Sequence, residues 1–377
     1  MFGSRSSGSD AYCYALFDVG ASSIEASLGQ RDAVEGERLL WHMHLEYAYE
    51  HTDDYEHYVK SMYATLLEAG MAMLNDGLRV AQRESGFNVR CMEVKCTFAR
   101  PWFIAEVETE TRSYEKHHTV THGLLDEMRA SIFTKILARP DYISWQEVAG
   151  QGDILEQQDL PLLLDGYHVL SNHPYEACEI TLSTYMAIVS QSVMQHVGEI
   201  LLRVLPNHPV RMTTSTRVLA THRFTHEHTA REILVEVGGQ VTSVAILDQK
   251  AITGVATLPF GTHHFLHACA PRAKSIEEAS SAGVLMIKKA SEEGAEFPKE
   301  VATVLADWSE AVHEAIRIAV RGVTPPPLAS IAIDPLWYET YANILGRPWS
   351  QPGLREMCAT QTVPLDRISS QHDKENT

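Results

Sequence analysis

The chain has 377 residues, 45% of them hydrophobic and 21% charged, and its 49 acidic against 31 basic side chains give a formal net charge of −18. A length beyond the reach of one hydrophobic core predicts two or three compact units, and no run approaches the roughly 20 consecutive apolar residues of a membrane-spanning helix. The charge repels nucleic acid and anionic lipid, and no basic patch offsets it. The start, MFGSRSSGSD, is small and polar and lacks the apolar segment of a secretory signal. Six cysteines show no CxxC pairing, and Cys13, Cys91, Cys96 and Cys178 fall in apolar or alternating runs, where a reduced thiol behaves as a small hydrophobe. A cytoplasmic protein is the expectation.

Residues 1–10 are read as a polar leader. Residues 11–18 then predict a buried strand, 24–28 its hairpin partner and 38–45 a third strand of alternating character. Thr52 is a candidate N-cap with Asp53 and Asp54 in the first turn, and Tyr55, Tyr58, Val59, Met62, Tyr63, Leu66 and Leu67 recur at helical spacing. That aromatic and methionine stripe is read as core. A fourth strand at 89–96 completes the opening of a first lobe, assigned to 11–98 and 186–228. Residues 99–185 interrupt it with a different order: strand 103–109, helix 122–137, and strands within 162–169 and 177–182. The lobe resumes with a helix bearing Val193, Val197, Ile200, Leu201 and Val204, and closes with 210–218. A second lobe, 229–361, repeats the opening: apolar run 233–237, Gly238-Gly239, then 241–247 and 251–258. A helix through Val301, Val304, Leu305, Trp308, Val312, Ala315 and Ile316 and an apolar strand at 329–333 follow. The tail, 362–377, is polar and expected to be disordered.

Two segments carry chemistry. In FDVGASSIEASLG, Asp18 ends a strand, Gly20 sits in the turn and the Ser22 and Ser23 hydroxyls follow. In VEVGGQVTSVAIL, Glu236, Gly238, Gly239, Thr242 and Ser243 occupy corresponding places. A carboxylate can orient the waters of Mg²⁺, glycine lets backbone N–H groups approach phosphate oxygens, and hydroxyls add donors. The pair resembles the phosphate-1 and phosphate-2 turns of the actin-like ATPases. The LPFG ending at Gly261 is similar to the LP-x-G of that superfamily's FtsA and PilM branch, and residues 99–185 stand where that branch carries its strand-helix-strand-strand insertion. The resemblance implies an α/β two-lobed, ribonuclease-H-like actin fold with an inserted α+β subdomain. It also implies ATP held by the two turns, with Mg²⁺ near Asp18.

The pattern is also broken. The family's phosphate-1 lysine falls at Glu25, and its phosphate-2 aspartate is Glu236. Its A-E-x-x-K adenosine helix becomes Ala279, Ser280, Ser281, Ala282 and Gly283, its last glycine pair is replaced by Asp334-Pro335, and the stretch between Pro271 and Pro298 is short for a full fourth subdomain. These departures favour a scaffold over a turning-over ATPase. The resemblance then implies a PilM-like assembly protein of a type IV pilus or related machine. Such a protein binds the cytoplasmic peptide of a PilN-like inner-membrane partner, reaches the membrane only through it, and can self-associate. The alternatives are an FtsA-like division adaptor and an active kinase-like enzyme of the superfamily. His263, His264 and His267, and His222, His226 and His228, lack HExxH or zinc spacing and are read as solvated. No P-loop or GxSxG occurs.

Overall fold

The computed structural model describes residues 12–32, 36–47, 55–85, 91–169, 175–226, 231–273, 275–293, 296–334, 336–345 and 359–362. The expected leader, the Thr52 cap with Asp53 and Asp54, Pro335 and the tail beyond 362 lie outside them. The chain divides into two compact units. One holds the described residues up to Ala99 and Ser192–Val218; the other holds Arg100–Gln191 and the described residues from Leu219 onward.

The first unit opens with β1 (Tyr12–Val19), β2 (Ser23–Asp32) and β3 (Gly36–Glu46), each antiparallel to the last. Helix α1 (Tyr55–Ala72) passes through a π turn, Met73–Gly77, into α2 (Leu78–Ser85). Strand β4 (Cys91–Phe98) returns parallel to β1, as a helical crossover requires, and β10 (Val210–Thr214) adds beyond it, giving the order β3-β2-β1-β4-β10. Central β1 is flanked by β2 and β4, and Phe17, Ile24, Leu28, Met62, Leu66 and Phe98 are buried about this sheet. Helix α5 (Gln191–Val204) buries Val193, Val197, Leu201 and Val204 and meets α1 where Gly70 faces the Val204 methyls.

The second unit repeats this topology. Strands β11 (Arg231–Val237), β12 (Thr242–Asp248) and β13 (Ala251–Leu258) are successively antiparallel, and β14 (Leu328–Ala332) and β15 (Ala359–Thr362) run parallel to β11, in the order β13-β12-β11-β14-β15. Matching strand order and sense make the two sheets duplicates. Helix α6 (Ser215–His226) takes over from β10 within the 210–218 run with which the sequence reading closes the first lobe. Helices α7 (Thr262–Cys269), α8 (Ile276–Glu293), α9 (Lys299–Val320) and α10 (Tyr338–Leu345) follow. Between α7 and α9 the described chain is the single helix α8. Helix α9 lies so close to β13 that a Cβ at Gly254 would reach within 1.9 Å of the Ala319 carbonyl.

The insertion also belongs to this second unit. Strand β5 (Phe103–Thr119) pairs with the long β9 (Glu176–Ser190), whose other edge takes β6 (Gly152–Asp159) and the short β7 (Leu163–Leu164), with β8 (Tyr167–His168) outermost. Helix α3 (His122–Leu137) starts where the Thr121 hydroxyl accepts from Leu124 N–H at 3.1 Å, and buries Leu124, Met128, Ile132 and Ile136 at i, i+4 spacing. These join Ile180, Leu182, Met186 and Ile188 in one core. Each such side chain contributes about 1.5–3 kcal/mol of burial. Helix α4 (Pro140–Ala149) and β6 are additions to the expected strand-helix-strand-strand order.

Candidate functional site

The first glycine turn joins β1 to β2. Gly20 N–H donates to the Ser23 carbonyl at 2.9 Å, and a Cβ on Gly20 would sit 3.0 Å from that oxygen, so the turn closes too tightly for a side chain. Two tyrosines latch it: Tyr47 O–H donates to the Gly20 carbonyl at 2.8 Å and Tyr58 O–H to the Ala21 carbonyl, while Tyr47 N–H donates to the Ser22 carbonyl at 2.7 Å. Register places Asp18 opposite Glu25, Glu25 opposite His44, and Asp18 beside Thr97. One face of the sheet thus carries a polar row across four strands.

Glu25 does not stand alone there. Its Oε1 lies 3.4 Å from His44 Nδ1, and His44 Nε2 lies 3.8 Å from Glu46 Oε1. The neighbouring carboxylates, Glu25 first and Glu46 second, raise His44 to about 10, and the same His44 contact holds the Glu25 carboxyl below its ordinary range. At neutral pH His44 is thus an imidazolium beside the Glu25 carboxylate. Glu25 thus carries negative charge where the family's pattern has a lysine, and His44 softens it.

The second turn joins β11 to β12. Gly238 N–H donates to the Val241 carbonyl at 2.9 Å. The Gly238 and Gly239 carbonyls accept from Thr262 N–H at 3.0 Å and His263 N–H at 2.8 Å, satisfying two of the orphan donors at the start of α7. Gly261 makes that approach possible, since a Cβ there would fall 2.4 Å from both carbonyl oxygens. Thr242 is fully buried, donates to the Phe260 carbonyl and accepts from Trp308 Nε1 at 3.1 Å, so its hydroxyl is scaffold for the turn. Register sets half-buried Glu236 opposite Ser243, and Ser243 opposite Thr257. Glu236 also draws on the buried Arg100 guanidinium, whose positive charge it favours.

On α8, Ala279 is buried and Gly283 packs against Leu266 and the Trp337 ring, where a Cβ would find both at 3.1 Å. This helix is tightly seated at the place where an adenosine helix would bear an acid and a lysine. The histidines read as solvated need correcting. His222 is buried, and burial drives His263 down to about 4, with His267 and His264 adding to the shift. His228 and the His226 side chain lie outside the described residues. Among the described residues no group of three or more His, Cys, Asp or Glu could hold a metal ion. Sequence reasoning missed Tyr47, His44 and Arg100 and read Trp308 only as a core residue of its helix, without its bond to Thr242; each is fixed by strand register or by packing between distant segments.

Duplicated five-stranded sheets of this order, each opening on a glycine-turned hairpin, with an α+β module inserted after the fourth strand, define an actin-like ATPase fold. No family model matches the sequence, and no curated protein matches it. Among solved structures, a chain of a PilM-PilN type IV pilus biogenesis complex matches with a TM-score of 0.55 at 13% identity, covering 93% of this chain and 88% of that one. The ethanolamine utilization protein EutJ from Carboxydothermus hydrogenoformans matches at 0.42 and 11% identity, covering 95% and 87%. A Bacteroides thetaiotaomicron protein of unknown function with an actin-like ATPase fold matches at 0.38 and 7%, covering 93% and 90%. At such identities the likeness establishes fold, not activity.

The fold implies a nucleotide with Mg²⁺, and the first hairpin is a poor match for it. A triphosphate over the Asp18 face meets Asp18 and Glu25 as directly opposed carboxylates, with His44 and, more weakly, His42 in partial compensation at Glu25. Unit charges about 5 Å apart interact by roughly 3 kcal/mol at an effective dielectric near 20, and here the sign opposes binding.

Proposed function

We propose that the chain is a PilM-like assembly scaffold, cytoplasmic and peripheral to the inner membrane, that binds the cytoplasmic peptide of a PilN-like membrane partner and carries a degenerate nucleotide site. The observation that carries this reading is the match, across nearly the whole length of both chains, to a chain of the PilM-PilN complex. The carboxylate at Glu25 supports the degenerate site, because an actin-like hairpin needs positive charge against the phosphates. A net charge of −18 opposes direct attachment to anionic lipid, and no helix among the described residues is long and apolar enough to cross a membrane. Membrane recruitment therefore falls to the partner, and a peptide captured as an extended segment suits a fold rich in sheet edges.

Co-sedimentation tests the reading. Purified protein is expected to stay in the supernatant with bare anionic liposomes. It should pellet with liposomes displaying the cytoplasmic N-terminal peptide of a one-span PilN-like protein encoded beside it. Pelleting with bare liposomes, lost on removing residues 362–377, favours an FtsA-like adaptor instead; no pelleting in either case removes the PilM-like reading.

A further inference from the structure

A cavity of about 300 Å³ lies wholly within the second unit, between the inserted module and the β12–β13 hairpin. Its walls include Phe103, Tyr142, Trp145 and Ala256, and its polar lining includes Arg100 and Arg139. Arg100 is only 7% exposed, with its guanidinium 5.0 Å from the Phe103 ring centroid. Such burial disfavours its charged form, and the Coulombic support of Tyr185, Glu236 and Glu106 only partly restores it.

Three residues of this lining each carry a buried donor, Arg100 Nε, Arg139 Nε and Trp145 Nε1, that has no hydrogen-bond acceptor among the described residues. Among the described residues Arg139 makes ion pairs only at long range, 3.5 Å to Glu106, 3.6 Å to Glu108 and 3.5 Å to Asp141. Those distances exceed the 2.7–3.2 Å of a good N–H···O bond. A buried donor without an acceptor is costly, and three around one space are rare in a folded chain. Two carboxylates, Glu106 and Asp141, also line the cavity, so its formal charges balance. Their oxygens are not among the buried atoms without partners, and Arg139 and Arg321 attend Glu106. The cavity's unmet demand is for acceptors, and its remaining wall is aromatic and aliphatic.

We propose that this pocket binds a carboxylate carried on an apolar or aromatic stem. The carboxylate oxygens accept from the Arg100 and Arg139 forks and the Trp145 indole, and the stem lies against Phe103, Tyr142 and Ala256. The same chemistry is presented by a small carboxylic acid and by the C-terminal residue of a peptide. The site serves with or without a membrane partner, so its test is independent of the assembly reading.

Calorimetry on the full chain decides it, with 3-phenylpropionate and Gly-Gly-Phe as probes and their C-terminal amides as controls. At least one acid is expected to bind about tenfold or more tightly than its amide, the discrimination of a single charge-assisted hydrogen bond or more. Binding of the free acid alone identifies a small-molecule ligand, and binding of the peptide alone identifies a protein C-terminus; either supports the proposal. Arg100→Lys keeps the charge but loses the planar fork and should weaken the acid about tenfold. Trp145→Phe, which removes only the N–H, should weaken it by roughly three- to tenfold. Should Arg100→Lys fail to fold by circular dichroism, Trp145→Phe and the cavity-filling Ala256→Leu carry the test. Acids that bind no better than amides, or variants that bind as the parent does, overturn the proposal.

Discussion

Replacing Glu25 by Gln removes the first-ranked support of the His44 imidazolium while preserving shape. His44 is raised to about 10 from an ordinary 6.5 by Glu25 first and Glu46 second, and burial works against both. A group raised in the folded state stabilises fully below its unfolded pKa and loses that contribution as pH rises through the folded value. His44 therefore contributes in full below about 6.5 and nothing above about 10. Glu25, held low by the same contact, adds stability above the ordinary carboxyl range and loses it as pH falls through its depressed value. The nominal worth of the His44 shift is about 5 kcal/mol at 1.36 per unit. His44 is 43% exposed, so solvent screening reduces that to about 1 kcal/mol. Glu25→Gln should lower the His44 titration by more than one unit in an NMR titration of the ring. It should also cost about 0.5–1 kcal/mol in urea unfolding at pH 6 and nothing measurable at pH 10.5. A parent His44 titrating near 6.5, or an equal cost at both pH values, refutes the argument.

Arg223→Met should destabilise the second unit by about 3–5 kcal/mol, because it strands the Glu232 carboxylate. Arg223 Nε and Nη2 each lie 2.8 Å from it, both side chains are 3% exposed, and the other hydrogen-bonding side chain the described residues bring to it is Ser330, whose Oγ lies at 3.3 Å. Adding Glu232→Met should recover most of the loss in urea unfolding, and a double variant as unstable as the single one contradicts the desolvation account. Purified protein is expected to hydrolyse ATP weakly or not at all; robust Mg²⁺-dependent turnover abolished by Asp18→Ala would falsify the degenerate-site reading.

Most of the fold was legible where the hydrophobic pattern is strong and local. The 122–137 helix and the 251–258 strand were read at the bounds they have, since α3 shows an unbroken i, i+4 ladder and β13 is bracketed by the polar Gln249-Lys250 turn and by Pro259. Helix α4 was not, because only Tyr142 and Ala149 are buried along it and its signal reduces to Pro140 at the first helical position. Strand β6, GDILEQQD, has only Gly152 fully buried and lacks the apolar alternation that marks a strand. The 103–109 strand was cut short because β5 continues to Thr119 through charged residues, held in register by β9 rather than by burial. The 210–218 run hides a change from β10 to α6 that its composition does not mark.

The candidate site divides along the same line. Asp18 opposite Glu25 follows from a short β1–β2 hairpin whose register is regular throughout, so counting back from the turn finds the pair. Glu25 opposite His44 does not follow. Counting from the Asp32 and Gly36 end of the β2–β3 hairpin would set Glu25 against Met43 and turn His44 to the other face. A bulge between Leu28 and Gly29 shifts the pairing by one residue and brings His44 round. The bulge leaves no signature in residue type, yet it decides the electrostatics of the hairpin. Without it Glu25 would be an uncompensated carboxylate facing Asp18, costly to keep ionised in a half-buried sheet. With it, the carboxylate is stable, and nothing in the folded chain presses that position back toward a lysine. A hairpin whose carboxylate is met from within its own sheet is what the proposed degenerate site requires.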